Sequence, residues 1–327
     1  MCAPHAEVPA LPQRRSLLAA SLALPALISR AHAQDRPAQL LVGFTPGGNI
    51  DLAARMAAPF FAKYLGHPVI VVNRPGAGGM IMLNELAAAA PDGRTAALVS
   101  FPALVTALFD NTPRYTVDSF AYVGLLTDEP YTIFVGPNSP YRTLPELVEA
   151  ARAQPETVTM AGAGVGSAPH LALMQLERAA GVRFTWVPTP GAGQAMQLVQ
   201  GGHVAGSIST VSLTVRAHIQ GALRVLALMS ENRWDRAPDL PTTGEGGWKL
   251  EAGSARGFAL PAATPAPIIQ RWEDAVRQTA QDPEFKALTD RDYLILRYMD
   301  RATMTAFVQR EHAAYGAIWR STPWKQS

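Results

Sequence analysis

Four segments of this 327-residue chain combine glycine or proline with small hydroxyl or amide side chains, and each leads directly into a helical pattern. They are Thr45-Pro46-Gly47-Gly48-Asn49-Ile50-Asp51, Ser100-Phe101-Pro102, Ala163-Gly164-Val165-Gly166-Ser167 and Thr189-Pro190-Gly191-Ala192-Gly193. A helix N-terminus offers unpaired N–H groups and a partial positive charge, so it receives a carboxylate or phosphate well. Glycine lets the backbone come close to such a group. None of the four segments contains Lys or Arg, so their chemistry would be anion binding by backbone dipoles and hydroxyls. Taken singly, each is equally a plain connection between strand and helix. The first and third together are expected to form a ligand site, and Ser209, at the end of a later strand, is grouped with them.

Other chemistries fit less well. Asp51 could bond a ligand amine or hydroxyl, but aspartate in such a loop more often binds backbone N–H groups and shapes the turn. Ser167 and His170, three residues apart, raise a nucleophile reading. No Gly-x-Ser-x-Gly elbow and no acidic partner accompany them, so His170 is expected to bond backbone instead. Gly162-x-Gly164-x-Gly166 lacks the third-glycine spacing of a dinucleotide fingerprint, and Val182 to Pro188 stand where its acidic residue would lie. The seven histidines show no ligand spacing, so no metal or cofactor is expected. The single cysteine, Cys2, leaves no disulfide, thiolate–zinc or iron–sulfur chemistry for the rest of the chain.

The elements that must position these loops alternate. Strands are predicted at Gln39–Phe44, Pro68–Val72, Thr95–Ser100, Tyr122–Leu126 and Thr132–Val135. A second series follows at Val158–Ala161, Phe184–Val187, Val204–Ser209, Arg224–Met229 and Gly257–Leu260. Helices are predicted at Ile50–Leu65, Met80–Ala90, Leu144–Ala153, Ala168–Ala180, Gln194–Gln200 and Leu213–Gly221. Thr143 and Glu146 form a capping box for the third of these. Pro267–Gln281, Pro283–Asp290 and a long helix after Asp300 complete the chain. Such alternation predicts an α/β fold of parallel βαβ units in two lobes. Length suggests about two domains as well. With 48% hydrophobic and 17% charged residues, a sizeable core is expected and disorder is not.

Arg14-Arg15 opens an apolar run through Ile28 that ends in Ala31-His32-Ala33, the pattern of a cleaved secretory signal over residues 1–33. Gln13 departs from the usual twin-arginine pattern, which leaves the export route open. The run is too short for a membrane anchor and contains Pro25. With Arg14, Arg15, Arg30 and Glu7 removed, the 28 basic and 26 acidic residues reduce to a balanced remainder. Neither a nucleic-acid partner nor a polybasic membrane surface is therefore expected.

Phe44 to Asp51, Val72-Asn73-Arg74-Pro75-Gly76-Ala77-Gly78-Gly79 and Pro91-Asp92-Gly93 form a distinctive series. It continues through Gly164 to Ser167 with His170, Val187 to Gly191, Gly201-Gly202-His203-Val204, Pro238 to Thr242 and Pro261 to Pro265. The chain here resembles the periplasmic receptors of tripartite tricarboxylate transporters, often called Bug proteins, over essentially all of residues 34–327. The resemblance implies a type II-like two-lobed periplasmic-binding-protein fold, each lobe a mixed sheet flanked by helices, with two crossing hinge strands. Lobe 1 would be residues 34–131 plus 258–327 and lobe 2 residues 132–257, with Thr132–Val135 and Gly257–Leu260 as the crossings. It implies a monomeric, non-enzymatic receptor that delivers a small carboxylate to integral-membrane permease subunits. Thr45, Gly47, Gly48 and Asp51 match the family's first binding loop, and Ala163, Gly164, Gly166 and Ser167 its carboxylate loop. Three positions depart from the family pattern. Thr189-Pro190-Gly191 replaces Tyr-Lys-Gly, Ala255 or Arg256 replaces Trp, and Ala205 replaces Asp. Arg256 thereby becomes a residue that either meets a carboxylate in the cleft or points away from it.

Three functions compete on sequence grounds. The first is a solute receptor for a small organic anion, followed by a periplasmic sensory subunit with the same site. A secreted hydrolase built on Ser167 and His170 is the distant third.

Overall fold

The computed structural model describes residues 36–110, 112–321 and 323–324. The expected signal segment lies outside them. Among the described residues ten strands and ten α-helices follow one another, and every parallel pair is joined through a helix. In the first half, β1 (Ala38–Val42) leads into α1 (Asn49–Leu65), β2 (Val69–Asn73), α2 (Met80–Ala87), β3 (Thr95–Phe101) and α3 (Ala103–Asp110). The long β4 (Phe120–Val135) crosses to a second set. That set is α4 (Leu144–Ala153), β5 (Thr159–Ala163), α5 (Ala168–Ala180), β6 (Thr185–Thr189), α6 (Ala192–Gln200), β7 (Gly206–Thr210), α7 (Val211–Ile219) and β8 (Arg224–Leu228). The chain returns through β9 (Gly253–Pro261) to α8 (Ala266–Gln281), α9 (Pro283–Arg291), β10 (Leu296–Met299) and α10 (Arg301–Ser321). This is the mixed α/β, two-lobed architecture predicted.

Strand order is β2-β1-β3-β9-β4-β7-β5-β6, with β10 and β8 also paired to β4. β1, β2 and β3 run parallel, as do β5, β6 and β7, while β4 and β9 are antiparallel to their neighbours. β1 is buried on both faces. Leu40 and Val42 join Phe61 of α1 and Trp272 of α8, while Leu41 meets Leu83 of α2 and Leu104 of α3. That two-sided burial explains the apolar run Leu40-Leu41-Val42. The second lobe repeats the plan, with Ile133 and Val135 against α4 and α5, and Phe134 against Val199 and Val215.

Where the two lobes meet, two predictions change. Tyr122–Leu126 and Thr132–Val135 are not separate strands but ends of one 16-residue β4. Phe120 to Pro130 pair with β9, and Tyr131 to Val135 pair with β7, so the exchange of partners falls at Pro130-Tyr131. Pro130 has no N–H to give, which suits a position where one ladder ends and another begins. Gly257–Leu260 pairs wholly within the first lobe; the returning crossing is five residues earlier. There Tyr131 N–H donates to Ala252 (2.8 Å), and Ala252 N–H donates to Met229 (3.1 Å). A division after residue 257 would cut inside β9. β10 is an element that the sequence did not suggest, and α3 is the helix expected after Ser100-Phe101-Pro102, for which no bounds are predicted. The capping box at α4 is also altered: Thr143 Oγ1 accepts from Glu146 N–H, but the Glu146 carboxylate accepts from Arg142.

Candidate functional site

Six parallel strands, three from each lobe, end around one cavity of about 370 Å³. Ligands of open α/β sheets bind at such carboxyl ends, and this volume suits a small molecule. Phe44 and Thr45 follow β1, Pro75 to Gly78 follow β2, and Ser100 and Phe101 end β3. From the other lobe come Ala163 to Ser167 after β5, Thr189 to Gly191 at β6, and Ser209 on β7. None of the lining residues is Lys, Arg, His, Asp or Glu. Helices α1, α3, α5 and α6 each bring residues of their first turn to it, including Asn49, Ala103, Ala168 and Ala192. Their N-terminal dipoles supply positive potential without a cationic side chain.

The loops are fixed by hydrogen bonds within themselves and to the residues behind them. Gly47 takes a left-handed φ of +81°, and its N–H donates to Asp51 Oδ2 (2.9 Å). Asp51, 1% exposed, also accepts from Arg55 Nε (2.9 Å) and Asn73 Nδ2 (2.8 Å). Burial works against its ionisation, but the bonds from Arg55, Gly47 and Asn73 prevail and hold the carboxyl below the usual range. Asn73 in turn binds the Phe44 carbonyl (3.0 Å). In the third loop, Gly166 (φ +79°) donates its N–H to His170 Nδ1 (3.1 Å), and Ser167 Oγ donates to the Ala163 carbonyl (2.9 Å). Burial depresses the His170 imidazole below the ordinary value of 6.5, so it is a neutral acceptor. The ring also packs on Trp186, with centroids 5.0 Å apart. Ser167 and His170 thus bond backbone separately, and no nucleophile–base contact joins them. Thr189 Oγ1 lies within hydrogen-bond reach of the Gly162 and Gly191 carbonyls.

Of the predicted residues, Thr45, Gly48, Asn49, Ser100, Ala163 to Ser167, Thr189, Gly191 and Ser209 line the cavity together. Pro46, Gly47, Asp51 and His170 do not; the last three support the loops from behind. Arg256 does not face the cleft. It is 1% exposed and paired with the fully buried Glu129 of β4. Ala255 packs in the first-lobe core. Sequence reasoning missed Gly76-Ala77-Gly78, Thr106, Tyr131 and Ser254, which also line the cavity. The glycine run after β2 carries the same signal as the other loops. Tyr131 and Ser254 carry none, since strand pairing at the crossing brings them in. Burial pushes the Tyr131 phenol up, while a hydrogen bond with Ser254 acts the other way.

The lobes touch directly at this site. Asn49 Nδ2 donates to Thr210 Oγ1 across 2.9 Å. A Cβ on Gly191 would lie 3.1 Å from Thr45 Oγ1. Among the described residues no group of acidic, His or Cys side chains is arranged to hold a metal ion. No helix there is long and apolar enough to cross a membrane.

Comparison with known proteins gives concordant results. Residues 53–322 match the model of the family described as "Tripartite tricarboxylate transporter family receptor". A protein of Cupriavidus necator, "UPF0065 protein in gbd 5'region", is 32% identical over 270 residues, covering 82% of each chain. The solved periplasmic binding protein BugD superposes with a TM-score of 0.84 at 28% identity, covering 89% of this chain and 99% of that one. MatC from Rhodopseudomonas palustris, solved with bound malate, gives 0.81 at 26% identity, with coverages of 86% and 98%.

Proposed function

The chain belongs to the tripartite tricarboxylate transporter receptor family, one of binding receptors rather than enzymes, and on that premise we propose that it captures a small organic anion, a carboxylate or dicarboxylate, in the cavity between its lobes. It does so in the periplasm and hands the solute to membrane permease subunits. The observation that carries this reading is the cavity itself, in which four helix N-termini converge with no cationic side chain. A carboxylate is the group such a lining stabilises, through N–H donors and fixed dipoles. Malate in the related MatC supports the same class of ligand here.

The lobes of the proposal are residues 34–131 with 258–327, and 132–257, adjusted to the strand exchange at Ala252-Gly253. Closure follows from contact: a solute touching both lobes is bound fully only when they meet, so it shifts the open–closed equilibrium. A panel of mono-, di- and tricarboxylates, aromatic acids and acidic amino acids, screened by thermal shift, tests the reading. Selective binding to the native state raises the melting midpoint by mass action. A rise with one acid class is expected, and no rise with any acid would count against it.

A further inference from the structure

Glu129 is the fully buried residue of β4 that stands just before the crossing at Pro130-Tyr131. One carboxylate oxygen binds Arg256 on the adjacent strand of its own lobe. The other, Oε2, accepts the N–H of Ser212 from the first turn of α7 in the opposite lobe, at 3.2 Å. A carboxylate there also meets the positive end of the α7 dipole. The same helix end carries Thr210, whose Oγ1 accepts from Asn49 on the cavity wall and lies 3.3 Å from Ser212 Oγ. Ser209, one residue before, lines the cavity. Two contacts from the first lobe therefore converge on the four consecutive residues 209–212, one from the ligand loop and one from the hinge.

Stability does not account for the ion pair. Arg256 Nε and Nη2 are buried without a hydrogen-bond partner among the described residues. Buried pairs with unspent donors tend to cost as much in desolvation as they return. We propose that Glu129, clamped by Arg256, is a positioning residue that holds the N-terminus of α7 against the first lobe and so favours the arrangement in which the cavity is assembled. This rests on the receptor reading. The aligned Glu129–Ser212 and Asn49–Thr210 bonds make closure less dependent on the solute, and the resting protein would already populate the closed form.

Two variants isolate the contact. Glu129→Met with Arg256→Met removes the whole pair without leaving a lone buried charge. Ser212→Pro removes the N–H and leaves the pair intact, and Ser212→Ala, which loses only the hydroxyl near Thr210, is its control. Helices α4, α5 and α8 all carry proline in their first turn, so α7 should accept it. Spin labels at Leu52→Cys on α1 and Ala179→Cys on α5, both exposed, are unique once Cys2 is serine. Distance distributions are recorded without solute and with malate. Without solute, both variants are expected to lose much of the short-distance population of the parent, although their melting midpoints change little. Superimposable distributions in parent and variants would overturn the proposal. If the double variant does not fold, Ser212→Pro decides alone. A parent that neither shifts its distribution nor gains thermal stability with malate or any acid of the panel would count against the receptor reading, while the solute-free comparison still bears on Glu129.

Discussion

Asn49 at the start of α1 and Thr210 at the N-cap of α7 share a 2.9 Å hydrogen bond across the divide between the lobes. They are 161 residues apart in sequence, yet each belongs to a loop or helix end at the cavity. On the receptor reading, the bond requires the two parallel strand groups to face one another across a closed cleft. A solute that draws the lobes together and a hydrogen bond that joins them therefore reinforce each other.

Removing this bond should weaken capture without unfolding either lobe. Asn49→Ala is expected to cost about 1 kcal/mol, a roughly fivefold loss of affinity for the best acid of the panel. Calorimetric titration checks it. An unchanged affinity would mean that the bond plays no part in closure.

Asp51 serves the first loop as a buried acceptor. Asp51→Ala leaves the Gly47 and Asn73 donors unpaired, and the expected destabilisation is about 2 kcal/mol. Chemical denaturation measures it. Because the folded carboxyl titrates below the usual range, its contribution is present above pH ~4 and lost as pH falls through the folded value. Asp51→Asn should flatten that part of the acid limb.

His170 gives the site a pH response of its own. Its imidazole is depressed below 6.5, so the neutral form that accepts from Gly166 is stable at pH 7. As pH falls below about 6.5 the unfolded chain takes up the proton first, and stability begins to decline. Protonation in the folded state would also turn the acceptor into a donor facing the Gly166 N–H. Affinity should therefore fall as pH drops below 6.5 through the folded value, and His170→Asn, which keeps an acceptor near the Nδ1 position, should lose much of that fall. Parallel pH profiles of the two proteins would contradict this role.

Gly162 within β5 and Gly164 just past its end separate stability from binding. A Cβ on Gly162 would lie 2.3 Å from the Trp186 ring, whereas one on Gly164 meets nothing within 4 Å. Gly162→Ala is expected to lower the melting midpoint by several degrees, and Gly164→Val to leave it nearly unchanged. Differential scanning calorimetry distinguishes them; equal midpoints would contradict the packing described.

How much of this was legible in the sequence depended on range. The loops after β1, β5 and β6 announced themselves through glycine beside a helical pattern, and α5 has the predicted bounds, Ala168–Ala180. β4 looked like two strands because Thr127-Asp128-Glu129 and Pro130 interrupt its apolar pattern; pairing with β9 and the crossing absorb them. β10 spans only four residues and pairs with β4 through a register shift, too little for periodicity to reveal. The role of Arg256 stayed open because its partner Glu129 lies 127 residues away. Tyr131 and Ser254 reach the cavity through strand pairing, which no local pattern encodes.

The most direct measurement is calorimetric titration of the best acid of the panel into the parent protein and into Gly164→Val. One binding site per chain in the parent and no measurable binding in the folded variant is the predicted result. Equal affinity in the two proteins would contradict the claim that this cavity, built from the loop ends of both lobes, holds the solute.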